Sequence, residues 1–352
     1  MRTIRNIGGL AAAALAVLAA CSRAAPPEAP AAAAAAQEVN VYSARHYEAD
    51  RAVYDRFTRD TGVKVNLIES QGDALIERLA REAEASPADL FITADAGMLW
   101  RAKSRGVLRP IEDSAVLARA PAHFRDPEGE WVGISKRARV IIFNRGAGAP
   151  EGLDTYAGLA DPSLHGMICV RSSTNLYNQS LLAAIIAHEG RDAALAWANG
   201  VVANFARPPE GDDTAQIEAV AAGLCRVGIV NSYYIGRYLD PADAKKFAIG
   251  EKIGVIFPDQ EAAGTHVNVS GAGVVRHAKN AANAEKLLGY LLREAVQEEF
   301  ARGNNEYPVV AGAAVSGPIA TFGVFREDDL PMAALGEHQA EAVKIFDEAG
   351  WR

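Results

Sequence analysis

Cysteine is scarce in this 352-residue chain, with only Cys21, Cys169 and Cys225. Several catalytic signatures are absent. No Gly-x-Ser-x-Gly elbow, no His-Glu-x-x-His pair and no suggestive carboxylate couple occurs, so an exported hydrolase has no residues to stand on. Beyond the first twenty residues no run of about 18 apolar residues exists to span a membrane. No repeat recurs at a fixed period. Excess positive charge is also lacking. The chain carries net −8, and −10 once the two arginines of the leader are removed. That balance argues against a nucleic-acid partner.

What is present begins with an address. Arg2 and Arg5 form a positive start, and Gly8 to Ala20 is apolar but short. The run ends in Leu18-Ala-Ala-Cys21, the pattern of a bacterial lipoprotein signal over residues 1–20 with acylation of the Cys21 thiol. The alternative is an ordinary secretory signal in which Cys21 is incidental. Both readings take the chain out of the cytoplasm, to a periplasmic or extracytoplasmic location. Residues 21–37 are Ala/Pro-rich and cannot bury a core, so they read as a tether. Cys169 and Cys225 each end a predicted strand in the same half of the chain, and an exported protein meets an oxidising compartment. They are expected to form a disulfide, with two buried thiols as the alternative.

The folded part starts near Glu38. Short strands alternate with amphipathic helices: a strand over 38–42, a helix over 47–61 closed by Gly62, and a strand over 63–68. A helix over 72–85 and a strand over 88–93 follow. This βαβαβ order predicts an α/β fold with a parallel sheet under helices. Trp131 to Asn144 reads as a long apolar strand interrupted by charge, suited to crossing into a second lobe. Residues 255–258 and 267–275 would carry the chain back, and 281–300 reads as one helix. Lobe 1 is expected to comprise 38–135 plus about 267–318, and lobe 2 to comprise 136–266 plus about 319–352.

The unusual residues are tyrosines outside any helical or strand rhythm. Tyr47 follows the first strand, Tyr177 sits in Asn175-Leu-Tyr-Asn178, and Tyr233 and Tyr234 are adjacent after an apolar run. Ligands of such sheets bind beyond the carboxyl ends of the strands, where these residues fall. A phenolate is a hard anionic oxygen donor, and several of them with one imidazole suit ferric iron. An ordinary tyrosine has a pKa of about 10, so a bound trivalent cation must supply the reason to ionise. Tyr54, Tyr156, Tyr238, Tyr290 and Tyr307 read instead as half-buried aromatics with hydroxyls in water.

The segments Tyr42-Ser-Ala-Arg-His-Tyr47, Ala88-Asp-Leu-Phe-Ile-Thr-Ala-Asp-Ala-Gly97, Trp131-Val-Gly-Ile-Ser-Lys-Arg-Ala-Arg139, Arg171-Ser-Ser-Thr-Asn-Leu-Tyr-Asn-Gln-Ser180 and Asn231-Ser-Tyr-Tyr234 run in order along the chain. With Gly264 to Gly273 and Asn305-Glu-Tyr-Pro-Val309, the chain resembles the periplasmic ferric-iron-binding proteins of ABC importers that use His and Tyr ligands. The resemblance implies a bilobal type II periplasmic-binding-protein fold with two mixed sheets, covering helices and crossing hinge strands. It implies that Tyr47, Tyr177, Tyr233 and Tyr234 ligate Fe(III). His46 matches a ligand that some members use and others displace. Arg137 matches a basic residue near the metal, and Arg237 lies one helical turn past the tyrosine pair. Carbonate or water would complete the shell. Permease and ATPase subunits would be the partners of a monomer. A polyamine, thiamine or oxyanion carrier of the same fold is the runner-up. Ser172, Ser173 and Thr174 could serve an anion, but they do not account for the tyrosine pair.

Overall fold

Val39 and Val41 alternate with polar residues in Glu38–Ser43, and both are completely buried. This strand, β1, lies parallel to β2 (Lys64–Glu69), with Val41 opposite Leu67. On its other side it pairs in parallel with β3 (Leu90–Thr93), with Tyr42 opposite Phe91. All four β3 residues are buried, as expected for a strand covered on both faces. The intervening helix, Glu48–Thr61, buries Val53, Tyr54 and Phe57 and ends at Gly62 in the left-handed region (φ 73°). There the Gly62 N–H reaches the Thr58 carbonyl, a common helix stop. The computed structural model describes residues 37–352. The leader 1–20, Cys21 and the tether up to residue 36 lie outside the described residues.

The remaining strands are β4 (Leu108–Arg109), β5 (Val132–Asn144), β6 (Ile168–Cys169), β7 (Val227–Asn231), β8 (Ile253–Ile256) and β9 (Val267–Val275). They continue the sheet in the order β2-β1-β3-β9-β5-β7-β6, with β4 beside β9 and β8 beside β5. Strand β5 joins the two halves. Its residues 132–138 pair antiparallel with β9, while 139–144 pair antiparallel with β7 and β8. The change of partner falls between Ala138 and Arg139. Parallel pairing is confined to β2-β1-β3 and to β6-β7. The βαβ pattern therefore predicts the first half of the sheet and not the antiparallel ladders of the second. One apolar cluster runs from the first sheet into β5 and β7, and another lies under the second half around Ile141, Leu181, Ile229 and Phe346.

One expected element differs. The helix expected over 281–300 is two helices, Ala281–Leu291 and Glu294–Asn304. Gln297 holds the break: its buried amide donates to the Leu291 carbonyl (2.8 Å) and to Ile134 in β5 (2.7 Å). The C-terminal helices Ala333–Glu337 and Gln339–Ala349 pack on helix Leu176–Glu189, and the former also meets helix Ala96–Ser104. Cys169, closing β6, meets Cys225 just before β7 in a disulfide with a Cα–Cα distance of 5.8 Å.

Candidate metal centre

Three loops at strand ends deliver the four tyrosines. After β1, the Ser43 hydroxyl donates to the Arg45 carbonyl (2.9 Å) and accepts from the Arg45 N–H (3.0 Å). This local turn places Tyr47 at the start of helix Glu48–Thr61. Tyr177 lies in the first turn of helix Leu176–Glu189, whose Asn175 side chain caps the Asn178 N–H. Tyr233 and Tyr234 form the helical turn Ser232–Gly236 that follows β7 directly.

Buried polar groups fix these loops relative to one another. The Arg139 guanidinium, at the partner change in β5, donates to Asn178 (2.7 Å), Asn231 (3.1 Å) and Asp213 (3.0 Å). Asp213 also accepts the Asn231 N–H at 2.9 Å. One arginine thus ties the Tyr177 helix to the base of the Tyr233–Tyr234 turn. Asp95 caps helix Ala96–Ser104 through the Met98 N–H, as expected of an N-cap. Its other oxygen accepts from Ser180 and Asn268, both at 2.8 Å. That links β3 and β9 to the helix carrying Tyr177.

The phenols converge. The Tyr47 and Tyr233 rings meet edge to face at 6.0 Å, and Tyr233 and Tyr234 stack at 4.4 Å. The Arg137 guanidinium acts electrostatically on Tyr47, Tyr177 and Tyr233 together and lies 5.9 Å from the Tyr233 ring centre. Arg237 is exposed and covers the Tyr233 and Tyr234 rings at 5.2 and 4.7 Å. His46 does not join them. Its imidazole is half exposed and faces Glu69, with Nδ1 3.6 Å from the carboxylate. A cavity of about 340 Å³ opens beside Tyr177, between Gly72, Thr93 and Asp95 on one side and Thr174 and Leu176 on the other.

Two residues behind the phenols were not legible as site components. Arg45, in the loop after β1, is buried. It pairs with Asp50 (2.5 Å) and Glu306 (2.7 Å), and its guanidinium covers the Tyr47 ring at 4.5 Å. Glu306 is fully buried between Arg45 and Arg137 and accepts from Ser135 at 2.9 Å. Burial pushes its carboxyl up, but Arg45 and Arg137 outweigh that and hold it below the usual range. The only sequence signal was charge set in apolar strand, as in Lys136-Arg-Ala-Arg139. The other tyrosines are core residues rather than wet ones. Tyr156 donates to the Arg139 carbonyl, Tyr238 to Glu218 and Tyr290 to Asp60, while Tyr307 is buried with no partner for its hydroxyl among the described residues.

Burial pushes the phenols of Tyr47, Tyr177 and Tyr233 up. For Tyr47, Glu306 adds to the rise, while Arg137 and Arg45 oppose it. For Tyr177, Arg137 is the main opposing charge. For Tyr233, the neighbouring phenols add to the rise. All three are therefore protonated in the metal-free site at neutral pH. Only a strongly Lewis-acidic cation displaces those protons. Among the described residues no group of three or more His, Cys, Asp or Glu side chains is arranged to hold a metal, so the oxygen donors gathered here are phenols.

Two lobes sharing a crossing strand, with side chains from both meeting in the cleft between them, define a solute-binding protein. The sequence matches the bacterial extracellular solute-binding proteins over residues 52–322, and the chain belongs to that family. It is 48% identical to iron uptake protein A1 of Synechocystis over 90% of this chain and 88% of that one. Its fold is similar to that of the Trichodesmium IdiA/FutA protein in complex with iron and citrate, with TM-score 0.86, 49% identity, and 90% and 100% of the two chains covered. The ferric binding protein from Campylobacter jejuni is similar at TM-score 0.84 and 39% identity, over 89% and 100% of the chains. The chain is thus a bilobal extracellular solute-binding protein.

Proposed function

We propose that this protein captures ferric iron outside the cytoplasm and delivers it to the permease and ATPase subunits of an ABC importer. The observation that carries the reading is the meeting of four phenols from three strand-end loops around the buried Arg137. Tyr47, Tyr177, Tyr233 and Tyr234 are the ligands. Four phenolates on a trivalent ion leave one negative charge, which Arg137 and Arg237 offset without competing for the metal. Carbonate or water enters from the cavity beside Tyr177 and completes the shell. His46 stays free to approach, since its imidazole is exposed. No turnover accompanies this cycle; the protein binds and releases.

A polyamine carrier would need free carboxylates. Here Glu306, Asp50 and Asp213 are all bound to guanidinium groups. Lobe 1 (38–135 with about 267–318) and lobe 2 (136–266 with about 319–352) close over the metal about the stretches near 134–140 and 260–270. The Cys169–Cys225 disulfide braces β6 against the entry to β7, from which the tyrosine pair issues. Acylated Cys21 anchors the monomer to the membrane. Mass spectrometry of membrane-extracted protein is expected to find diacylglycerol on Cys21, and an unacylated mature chain starting elsewhere would refute the anchor. The ligand assignment is tested by colour. The iron-loaded protein is expected to absorb in the visible through Fe(III)–phenolate charge transfer, and Tyr233→Phe/Tyr234→Phe to lose that band. A spectrum unchanged in the double variant would sink the assignment.

A further inference from the structure

A cavity of about 410 Å³ lies apart from the tyrosine cleft. It lies in the second half of the molecule, between helix Leu176–Glu189, helix Arg191–Ala203 and the 259–266 segment that leads into β9. None of the four tyrosine ligands lines it. Its floor is apolar, from Leu181, Ala184, Ile185 and Trp197.

The polar groups at its edge are mostly acceptors. Asp259 sits in the left-handed region (φ 60°), an uncommon conformation for a residue with a side chain. Its carboxylate has no ion-pair partner among the described residues, and Glu189 and Asp328 face it with like charge. Asp328 is shared with His188 at 2.8 Å. The second observation is His266. Its side chain lines the cavity, the residue is only 3% exposed, and its ring makes no hydrogen bond among the described residues. Burial, with Arg139 and His188 nearby, pushes its pKa down to about 3, so it is a neutral imidazole with an unused acceptor and donor. A neutral ring without a protein partner, at the lining of the cavity, is available to a ligand from outside.

We propose that this cavity binds a monoprotonated organic amine with an apolar body of about ten non-hydrogen atoms, a size suited to a pocket of this class. The ammonium is held by the Asp259 carboxylate and the free His266 nitrogen. The body lies on Leu181 and Ile185, beside Trp197. An anion is refused by the three carboxylates, and a neutral alcohol leaves Asp259 without a countercharge.

The test uses the iron-loaded mature chain and calorimetric titration with 2-phenylethylammonium, 2-phenylethanol and 3-phenylpropionate. The ammonium is expected to bind at least about tenfold more tightly than either control, a difference of about 1.4 kcal/mol. Asp259→Asn, which keeps a residue tolerant of the left-handed region, should weaken it by about tenfold. Ala193→Phe, at the partly exposed wall, should abolish binding by filling the cavity. Both variants should leave the visible iron band unchanged, which separates this cavity from the tyrosine site. Equal binding of the three probes, binding undiminished in both variants, or no heat up to about 10 mM ammonium would overturn the proposal.

Discussion

Glu306 has a structural and an electrostatic consequence at once. Its carboxylate is the shared counter-ion of Arg45 and Arg137, and no water reaches any of the three side chains. Glu306→Gln leaves the buried Arg137 without a carboxylate and Arg45 with Asp50 alone, and removing one partner of a buried pair costs about 3–5 kcal/mol. Urea unfolding of the metal-free protein is expected to show that loss, and a midpoint unchanged within error would show that the pair is not coupled. Arg237 offers the contrast. It is exposed over the Tyr233 and Tyr234 rings, so Arg237→Gln is expected to alter stability by less than about 0.5 kcal/mol. Its effect falls on iron instead, because the phenolate charge it faces exists only in the loaded site.

Among elements, the short helix Ser232–Gly236 is the most constrained. Gly236 has helical geometry but no room. A Cβ there would come within 2.6 Å of the Asn305 side chain, which is itself held in the left-handed region (φ 57°). Gly236→Ala is therefore expected to push the tyrosine turn off the 305–307 segment, destabilise the protein by about 1–3 kcal/mol and weaken iron binding. Citrate competition at fixed pH measures the second effect, and an unaltered affinity would mean that the turn is not positioned by this contact. The turn also shows what sequence pattern can and cannot deliver. The tyrosine pair was legible because two adjacent phenols directly after an apolar strand follow neither the helical nor the strand period. The strands β1, β2 and β3 were legible because short apolar runs separated by amphipathic helices mark βαβ units. The break at Leu292 was not, because it is made by Gln297 reaching β5, a contact distant in sequence. Helix Asp213–Ala221, absent from the expected elements, carries Asp213 to Arg139 in the same way. Nor could Arg45 be read as buried, since its partners Asp50 and Glu306 are respectively near and remote in the chain.

On the scale of the whole molecule, binding couples the cation to protons. A phenol whose pKa is raised stays protonated when metal is absent at any pH near neutrality, and three of the four proposed ligands are in that state. Each must give up its proton when iron arrives, so the complex holds fewer protons than the free protein and affinity rises with pH. The sign is fixed by burial, which raises all three groups, and Arg137 only moderates it by favouring the ionised form of Tyr47 and Tyr177. With more than one proton released per iron, affinity is expected to fall by more than about tenfold for each pH unit of acidification. His46, exposed beside the cluster, would contribute a further ligand only if it leaves Glu69 and approaches the metal. His46→Ala is then expected to preserve the visible band and to alter the competition curve only if the imidazole reaches the metal. Equilibrium competition with citrate between pH 8 and pH 5 reads both curves. An affinity flat across that interval would mean that phenolates do not hold the iron, and a His46→Ala curve superposed on the parent would mean that the imidazole remains with Glu69.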